Sequence, residues 1–183
     1  MNFNASVSQL NTQAYHVGQD VVGQSVAGGN AVDITTMNDT IVLNNQYNKS
    51  TTIDSTINAG VGHVGGSVGY TSQAVCNSAS VSTDPTLTAI DSTQECRSID
   101  PSSKINATIS NIGGDAGLAS SAVGNTFEAD SNAPNMPVLT KQINSSFVQS
   151  KVNADISNVA GSFSSTSAAI GNNAQVIHYS TGN

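Results

Sequence analysis

Residues 105–129 read INATISNIGGDAGLASSAVGNTFEA, and the same pattern occurs three more times in the chain. The four copies begin at Leu10, Ile57, Ile105 and Val152. Successive starts are therefore 47, 48 and 47 residues apart, and no gap is needed within a copy. Because shared composition alone does not hold such a spacing four times, the 183-residue chain is a repeat protein of about three and a half units.

Within each copy, apolar or small residues alternate with polar residues at a period of two. Ile105, Ala107 and Ile109 share one side of an extended chain, whereas Asn106 and Thr108 share the other. Successive side chains of a β-strand point to opposite faces, whereas a helix repeats every 3.6 residues. The alternation therefore predicts strands.

Each copy contains two such strands with a turn between them. In the third copy the turn holds Gly113 and Gly114, and we expect glycine to supply the positive φ that a tight corner needs. The second strand carries the motif S-x-A-x-[GC]-N. The remaining parts of the copies, 36–56, 83–104 and 131–151, are more variable and predict less regular strands. Each of these parts contains a glutamine, at Gln46, Gln94 and Gln142.

Short strands repeated at a fixed period, with small residues at the corners, predict an all-β fold, namely a β-solenoid. One coil cannot bury its apolar side alone, so consecutive coils stack and place Ile over Ile and Val over Val. We expect one repeat domain over residues 1–183, with two or three strands per coil and residues 1–9 as the end of a preceding coil. The spacing leaves open whether one repeat forms one coil, two or three.

The motif ends in an asparagine that lies in the apolar register of its strand. These residues are Asn30, Asn77, Asn125 and Asn172. A single inward Asn is costly unless it is hydrogen-bonded, but stacked Asn amides can bond one another in a ladder along the coils. The alternative is an Asn at a corner in the left-handed conformation, which fits the glycine that precedes Asn125 and Asn172.

The chain has two cysteines, Cys76 and Cys96. They are compatible with one disulfide in an oxidising compartment, or with two small buried thiols. A disulfide across this 20-residue separation would contribute about 3 kcal/mol by chain-entropy reasoning.

Composition and charge exclude several classes of function. The chain has 5 basic and 12 acidic residues, so five cations cannot neutralise a run of phosphates and nucleic acid is not an expected partner. No apolar run approaches the length of a membrane-spanning helix. Charged residues make up 9% of the chain, which indicates a surface built from uncharged polar side chains.

Residues that could carry chemistry do not form a recognisable site. His16 and His63 occupy the repeat position that holds Asn111 and Asn158 in the other copies, which predicts a polar corner rather than a metal site. The acidic residues are dispersed, and Arg97 is the only arginine. No nucleophile elbow or calcium-loop spacing occurs. We therefore expect no enzymatic activity, no catalytic residues, no metal and no cofactor.

The recurring stretches resemble a known family. Residues 105–129 and 152–176, the latter reading VNADISNVAGSFSSTSAAIGNNAQV, are similar to the repeats of the holdfast anchor protein D family of stalked alphaproteobacteria. The shared features are an alternating V/I-x-A strand, a Gly-rich turn and S-A-x-G-N, over roughly half of the chain. A more distant resemblance is to curlin fibre subunits, although their shorter repeat differs from the period found here.

The resemblance implies a secreted, non-enzymatic structural or adhesive protein at the extracellular or outer-membrane surface. Such a protein would anchor an adhesive polysaccharide beside other anchor proteins, or form a self-assembling extracellular fibre. The alternative is a ligand-binding β-solenoid that recognises carbohydrate or ice. Ice binding needs ranks of Thr, and carbohydrate binding usually needs exposed aromatics, but the Thr and Tyr residues do not recur at matching offsets.

The ends of the repeat array predict self-association. Phe3, Ala5 and Val7 alternate like a strand near the N-terminus, and the last copy runs through Ile177 and Tyr179 without a blocking Pro or charge run. Open strand edges template further strands, and solenoids normally cover them with polar caps. We therefore expect copies of the chain to stack head to tail.

Overall fold

The computed structural model describes residues 5–83, 88–97, 100–133 and 135–179, and in this part of the chain it contains eleven strands and no helix. The first coil consists of β1 (Ala5–Val17), β2 (Val21–Thr36) and β3 (Thr40–Asn48). The second consists of β4 (Thr52–Val64), β5 (Val68–Thr83) and β6 (Thr88–Cys96), and the third of β7 (Ser102–Ile112), β8 (Ala116–Ser131) and β9 (Val138–Asn144). The fourth contains β10 (Gln149–Val159) and β11 (Phe163–His178). Residues 1–4, including Phe3, and 180–183 lie outside the described residues.

Strands at equivalent places in successive coils pair in parallel and form three sheets. The first sheet has the order β1-β4-β7-β10, the second β2-β5-β8-β11 and the third β3-β6-β9. The pairs reproduce the sequence alignment, because Leu10 pairs with Ile57, Ile57 with Ile105, and Ile105 with Val152. One repeat is therefore one coil of three strands, and the predicted all-β solenoid is confirmed.

The core lies between the sheets and is filled by matching residues from neighbouring coils. Ile57 and Ile105 of the first sheet pack with Tyr70 and Leu118 of the second. A separate cluster around Phe127 joins the second sheet to the third. Burying a side chain of this size is worth about 1.5–3 kcal/mol, so stacking is what stabilises each coil.

The second sheet bends in the middle of each of its strands. In β8, Ser120 and Ala122 point inward before the bend, whereas Asn125 and Phe127 point inward after it. Gly124 lies where the alternation of inward and outward side chains shifts by one residue, and the pairing of β8 with β5 and β11 passes over it. One long strand therefore packs its first half on the first sheet and its second half on the third.

The corners after the strands of the first sheet use a left-handed residue, but it is not the glycine expected from the sequence. The left-handed residues are His16, His63, Asn111 and Asn158, with φ of 58°, 56°, 56° and 54°. No glycine of the described chain has a positive φ. Gly113 is needed for another reason, because a Cβ there would lie 2.5 Å from the Gly65 carbonyl oxygen of the coil below.

Candidate functional site

The asparagines of the S-x-A-x-[GC]-N motif stack inside the solenoid, one in each coil. Nδ2 of Asn77 donates to Oδ1 of Asn125 at 2.7 Å, Asn30 donates to Asn77 at 3.0 Å, and Asn125 donates to Asn172 at 2.7 Å. None of the four has a left-handed backbone, so the corner alternative does not describe them. The amides of Asn77 and Asn125 are fully buried, and the ladder satisfies them where water cannot.

The glutamines of the variable segments form a second inner ladder. Nε2 of Gln94 donates to Oε1 of Gln46 at 2.7 Å, and Gln142 donates to Gln94 at 2.8 Å. The second N–H of Gln94 reaches the backbone carbonyl of Thr126 at 2.8 Å. The sequence shows this column of glutamines, but its spacing alone does not reveal that the side chains stack inside the solenoid.

Serine hydroxyls form a continuous row through the core, alternating between the first and second sheets. In coil order the row contains Ser8, Ser25, Ser55, Ser72, Ser103, Ser120, Ser150 and Ser167. Ser55 is fully buried and lies 2.9 Å from the Ser25 hydroxyl and 2.8 Å from that of Ser72. Four of these serines open the S-x-A-x-[GC]-N motif, and the four on the first sheet form a column two residues before each repeat start whose role the spacing alone does not reveal.

Cys76 and Cys96 form a disulfide in the second coil, with their Cα atoms 6.0 Å apart. It joins the bend of the second sheet to the end of the third. The neighbouring first coil places Gly29 and Asn48 at the equivalent positions, and the Asn48 amide donates to the Cys76 carbonyl at 3.0 Å. A Cβ at Gly29 would lie 1.8 Å from that amide nitrogen. The disulfide thus replaces a Gly–Asn pair.

The two corner histidines stack on each other at the surface. The rings of His16 and His63 have centroids 4.8 Å apart, and in the next coils Asn158 Nδ2 donates to Asn111 Oδ1 at 3.1 Å. These residues form a polar corner column, as the pattern predicted. Within the described residues no group of three or more His, Cys, Asp or Glu is arranged to hold a metal ion.

A second asparagine ladder lies on the outer surface of the first sheet. Asn58 Nδ2 donates to Asn11 Oδ1 at 2.9 Å, Asn106 donates to Asn58 at 2.8 Å, and Asn153 donates to Asn106 at 2.9 Å. These are the asparagines that follow each repeat start. The sequence therefore contained the signal for this ladder, but it gave no reason to connect the column to a site.

The outer ladder forms one side of an open trough of about 760 Å³ that runs across all four coils. The opposite rim consists of Gln13, Gly60, Thr108 and Asp155. The positions between the ladder and this rim hold Thr12, Ala59, Ala107 and Ala154. Because the side chains of Ala59 and Ala107 turn into the core, the middle of the trough is backbone and small atoms.

Two further features flank the trough. The ring of Tyr15, which is 59% exposed, lies over the glycines of the next coil, since a Cβ on Gly62 would be 3.0 Å from its Cδ1. Beyond the ladder on the other side, Lys104 and Lys151 occupy directly paired positions on β7 and β10. The lysines recur in the repeats as K-I-N-A and K-V-N-A, so the sequence contains the signal for this pair.

The remaining charged and titratable groups do not extend this site. The one ion pair within 4 Å in the described chain joins Arg97 to Glu95 at 2.9 Å on the third sheet. Burial raises the pKa of the Tyr70 phenol, which is packed in the core, and the Thr12 hydroxyl opposes this shift. No helix in the described part of the chain is long and apolar enough to cross a membrane.

Comparison with known proteins identifies the family. No curated protein and no solved structure matches the chain. The family model for holdfast attachment protein D matches residues 5–182, which covers all four repeats and not only the stretches that carry the resemblance seen in the sequence. The chain therefore belongs to the holdfast attachment protein D family, a family of structural proteins with a role in holdfast adhesion at the cell surface.

Proposed function

We propose that this protein is a non-enzymatic rod on the outer face of the cell envelope that anchors an adhesive polysaccharide, and that its copies stack head to tail into a fibre. Family membership supports the adhesive role at the surface. A disulfide in the second coil fits an oxidising compartment outside the cytoplasm. Other anchor proteins and the surface polysaccharide are the expected partners.

The apolar side chains that are exposed on β11 are the observation that supports the stacking. Val176 is 47% exposed, whereas Val81 and Ala129, which occupy the same column in lower coils, are buried. Phe163 is likewise exposed above the buried Ala116. A further coil placed on β10 and β11 would bury these side chains in the way that each inner coil buries the one beneath it.

The polarity of the ladders selects the head-to-tail arrangement. In the inner ladder the amide nitrogens of Asn30, Asn77 and Asn125 donate toward the fourth coil, so Asn30 leaves its Oδ1 at the first-coil end. In the outer ladder the nitrogens point the other way, so Asn153 leaves its Oδ1 at the fourth-coil end. A first coil stacked on a fourth coil therefore matches donor to acceptor in both ladders, whereas two like ends would not.

Charge on the open face should block this stacking. We expect the purified chain to form fibres, and Phe163→Lys with Val176→Lys to leave it monomeric, because two ammonium groups would have to be buried at the junction. The matched control is Thr71→Lys with Thr108→Lys, at exposed positions of the second and third coils that lie away from both ends of the solenoid. Light scattering and electron microscopy measure the outcome. A wild-type chain that stays monomeric at high concentration contradicts the stacking.

The anchoring role is tested in cells. A strain that lacks the protein should shed labelled adhesive polysaccharide into the medium, and complementation with the wild-type gene should restore retention. Antibody labelling of intact cells should detect the protein at the surface. Retention that is unchanged without the protein would contradict the anchoring role.

The trough on the first sheet favours a second candidate function, namely a β-solenoid that binds carbohydrate. The trough combines polar amides, an exposed aromatic ring and two cations, and these are groups that hold sugars.

A further inference from the structure

We infer that the trough on the first sheet binds an extended polysaccharide that carries acidic groups and lies along the solenoid axis. The inference rests on the proposed anchoring function and names the class of polymer and the residues that hold it. The trough is open at the surface and crosses every coil, so a linear polymer can enter from the side and touch several repeats at once.

The outer asparagine ladder leaves regular hydrogen-bonding capacity unused. An amide has two N–H donors and an oxygen with two acceptor sites, and a ladder bond uses one donor and one acceptor site of each inner member. The bonds of Asn58 and Asn106 run along the ladder, so their remaining groups are available to a ligand in the trough. These groups repeat with the strand spacing of about 4.8 Å, a scale that suits the hydroxyls of successive sugar rings.

Tyr15 supplies an apolar platform at the first-coil end of the trough. Gly60 and Gly62 are the positions beneath its ring, and the lack of side chains there lets the ring lie close to the sheet. A tyrosine held in this way offers a rigid aromatic surface with little conformational entropy left to lose. The C–H faces of a sugar ring pack on such a surface, while its hydroxyls remain free to reach the amides.

The lysine pair favours an acidic polymer over a neutral one. Lys104 and Lys151 are direct neighbours across β7 and β10, and like charges in this position repel each other. Neither has a carboxylate within ion-pair distance among the described residues. A ligand carboxylate between them removes the repulsion and forms two ion pairs.

The acidic residue on the rim of the trough sets the direction of the ligand. Asp155 lies on the rim opposite the lysines, where it repels a ligand carboxylate and accepts hydroxyl groups. Asp54 lies beyond the lysine column, farther from the trough, and its carboxylate accepts a hydrogen bond from Thr56 Oγ1 at 2.7 Å. The ligand's acidic groups therefore face the lysine side, and its hydroxyls face the Asp155 side.

The test measures binding of the full chain to oligogalacturonate, a linear acidic glycan, with neutral cello-oligosaccharide as the comparison ligand. We expect oligogalacturonate to bind more tightly, and Lys104→Gln with Lys151→Gln to weaken it about tenfold, the scale of two exposed ion pairs. The matched control is Lys49→Gln with Lys141→Gln, which changes the net charge equally outside the first sheet. Calorimetry at two salt concentrations reports affinity and its electrostatic part.

The other walls of the trough are tested in the same way. Tyr15→Ala should weaken binding severalfold, whereas Tyr47→Ala, a similarly exposed tyrosine on the third sheet, should not. Gly60→Gln should also weaken binding, because the new side chain narrows the trough from its rim, and its Cβ meets nothing closer than the Tyr15 hydroxyl at 3.4 Å.

Three results would overturn the inference: no binding of oligogalacturonate, equal binding of the neutral glycan, or equal losses in the trough and control variants. The cell assay separates this failure from that of the proposed function. If removing the protein releases the adhesive but the trough variants retain it, anchoring stands and the trough is not the binding site. If removing the protein has no effect on retention, the anchoring role itself fails.

Discussion

The two asparagine ladders have the same residue type, the same number of members and similar hydrogen bonds, but one lies in the core and the other on the surface. Asn77 of the inner ladder is fully buried, whereas Asn58 of the outer ladder faces the solvent from the first sheet of the same coil. Their hydrogen bonds differ little in length, at 2.7–3.0 Å and 2.8–2.9 Å. The difference between them therefore lies in what replaces a broken bond.

Water can satisfy an exposed amide as soon as its ladder partner is lost, but a buried amide has no substitute. A buried donor or acceptor without a partner costs about 1–3 kcal/mol, whereas the net gain from making one hydrogen bond is about 1 kcal/mol. The inner ladder should therefore hold the coils in register, because any slip would break several buried bonds at once. The outer ladder is not needed to hold the register, so its exposed amides can form hydrogen bonds with a ligand.

The largest expected effect comes from breaking the inner ladder. Asn77→Ala removes two ladder bonds and leaves the Asn30 amide nitrogen and the buried Asn125 oxygen without partners. We expect the free energy of unfolding to fall by about 4 kcal/mol, the sum of two unsatisfied groups and a small cavity. Denaturant unfolding followed by circular dichroism measures this change. A loss no larger than that for the outer ladder would contradict the proposed role of burial.

The disulfide gives the next-largest effect, and its removal compares the second coil with its neighbours. Cys76→Ser with Cys96→Ser should lower the free energy of unfolding by about 3 kcal/mol, because the 20-residue loop is then free in the unfolded chain. Unfolding of the variant and of the wild type, each with and without reductant, measures the difference. The wild type under reductant should approach the variant.

A matched variant copies the arrangement of the first coil. Cys76→Gly with Cys96→Asn places a glycine and an amide where the first coil has Gly29 and Asn48. We expect it to recover about 1 kcal/mol relative to the double serine variant, because the new amide can donate to a backbone carbonyl. Equal stability of the two variants would show that the Gly–Asn pair contributes nothing.

The smallest effect belongs to the outer ladder. Asn58→Ala should change the free energy of unfolding by no more than about 0.5 kcal/mol, since water can bond the Asn11 oxygen and the Asn106 nitrogen in its place. The same denaturant experiment measures it beside Asn77→Ala. A loss above about 2 kcal/mol would mean that the outer ladder is as structural as the inner one and would remove the contrast between them.

Much of this architecture is readable from the sequence because parallel stacking preserves alignment. Residues that share a column in the four copies pair in the sheets, and the alternation of Ile105, Ala107 and Ile109 correctly marks the buried side of β7. The conformation of the corner after each strand of the first sheet was predicted less well. Gly113 suggested a positive φ, but the left-handed residue is Asn111, and the glycine is required by the approach of the Gly65 backbone.

The sequence by itself determined the repeat, the strand period and the columns, because each depends on spacing along one chain. Only the tertiary structure decided which columns meet across the core, such as Ser55 with Ser72, because this depends on how the corners close a coil. It alone also set the polarity of the ladders and brought Tyr15 and Lys104 to the sides of one trough. Period two assigns a side chain to one face of its strand, but neighbours from other strands are defined only when three sheets fold into one coil.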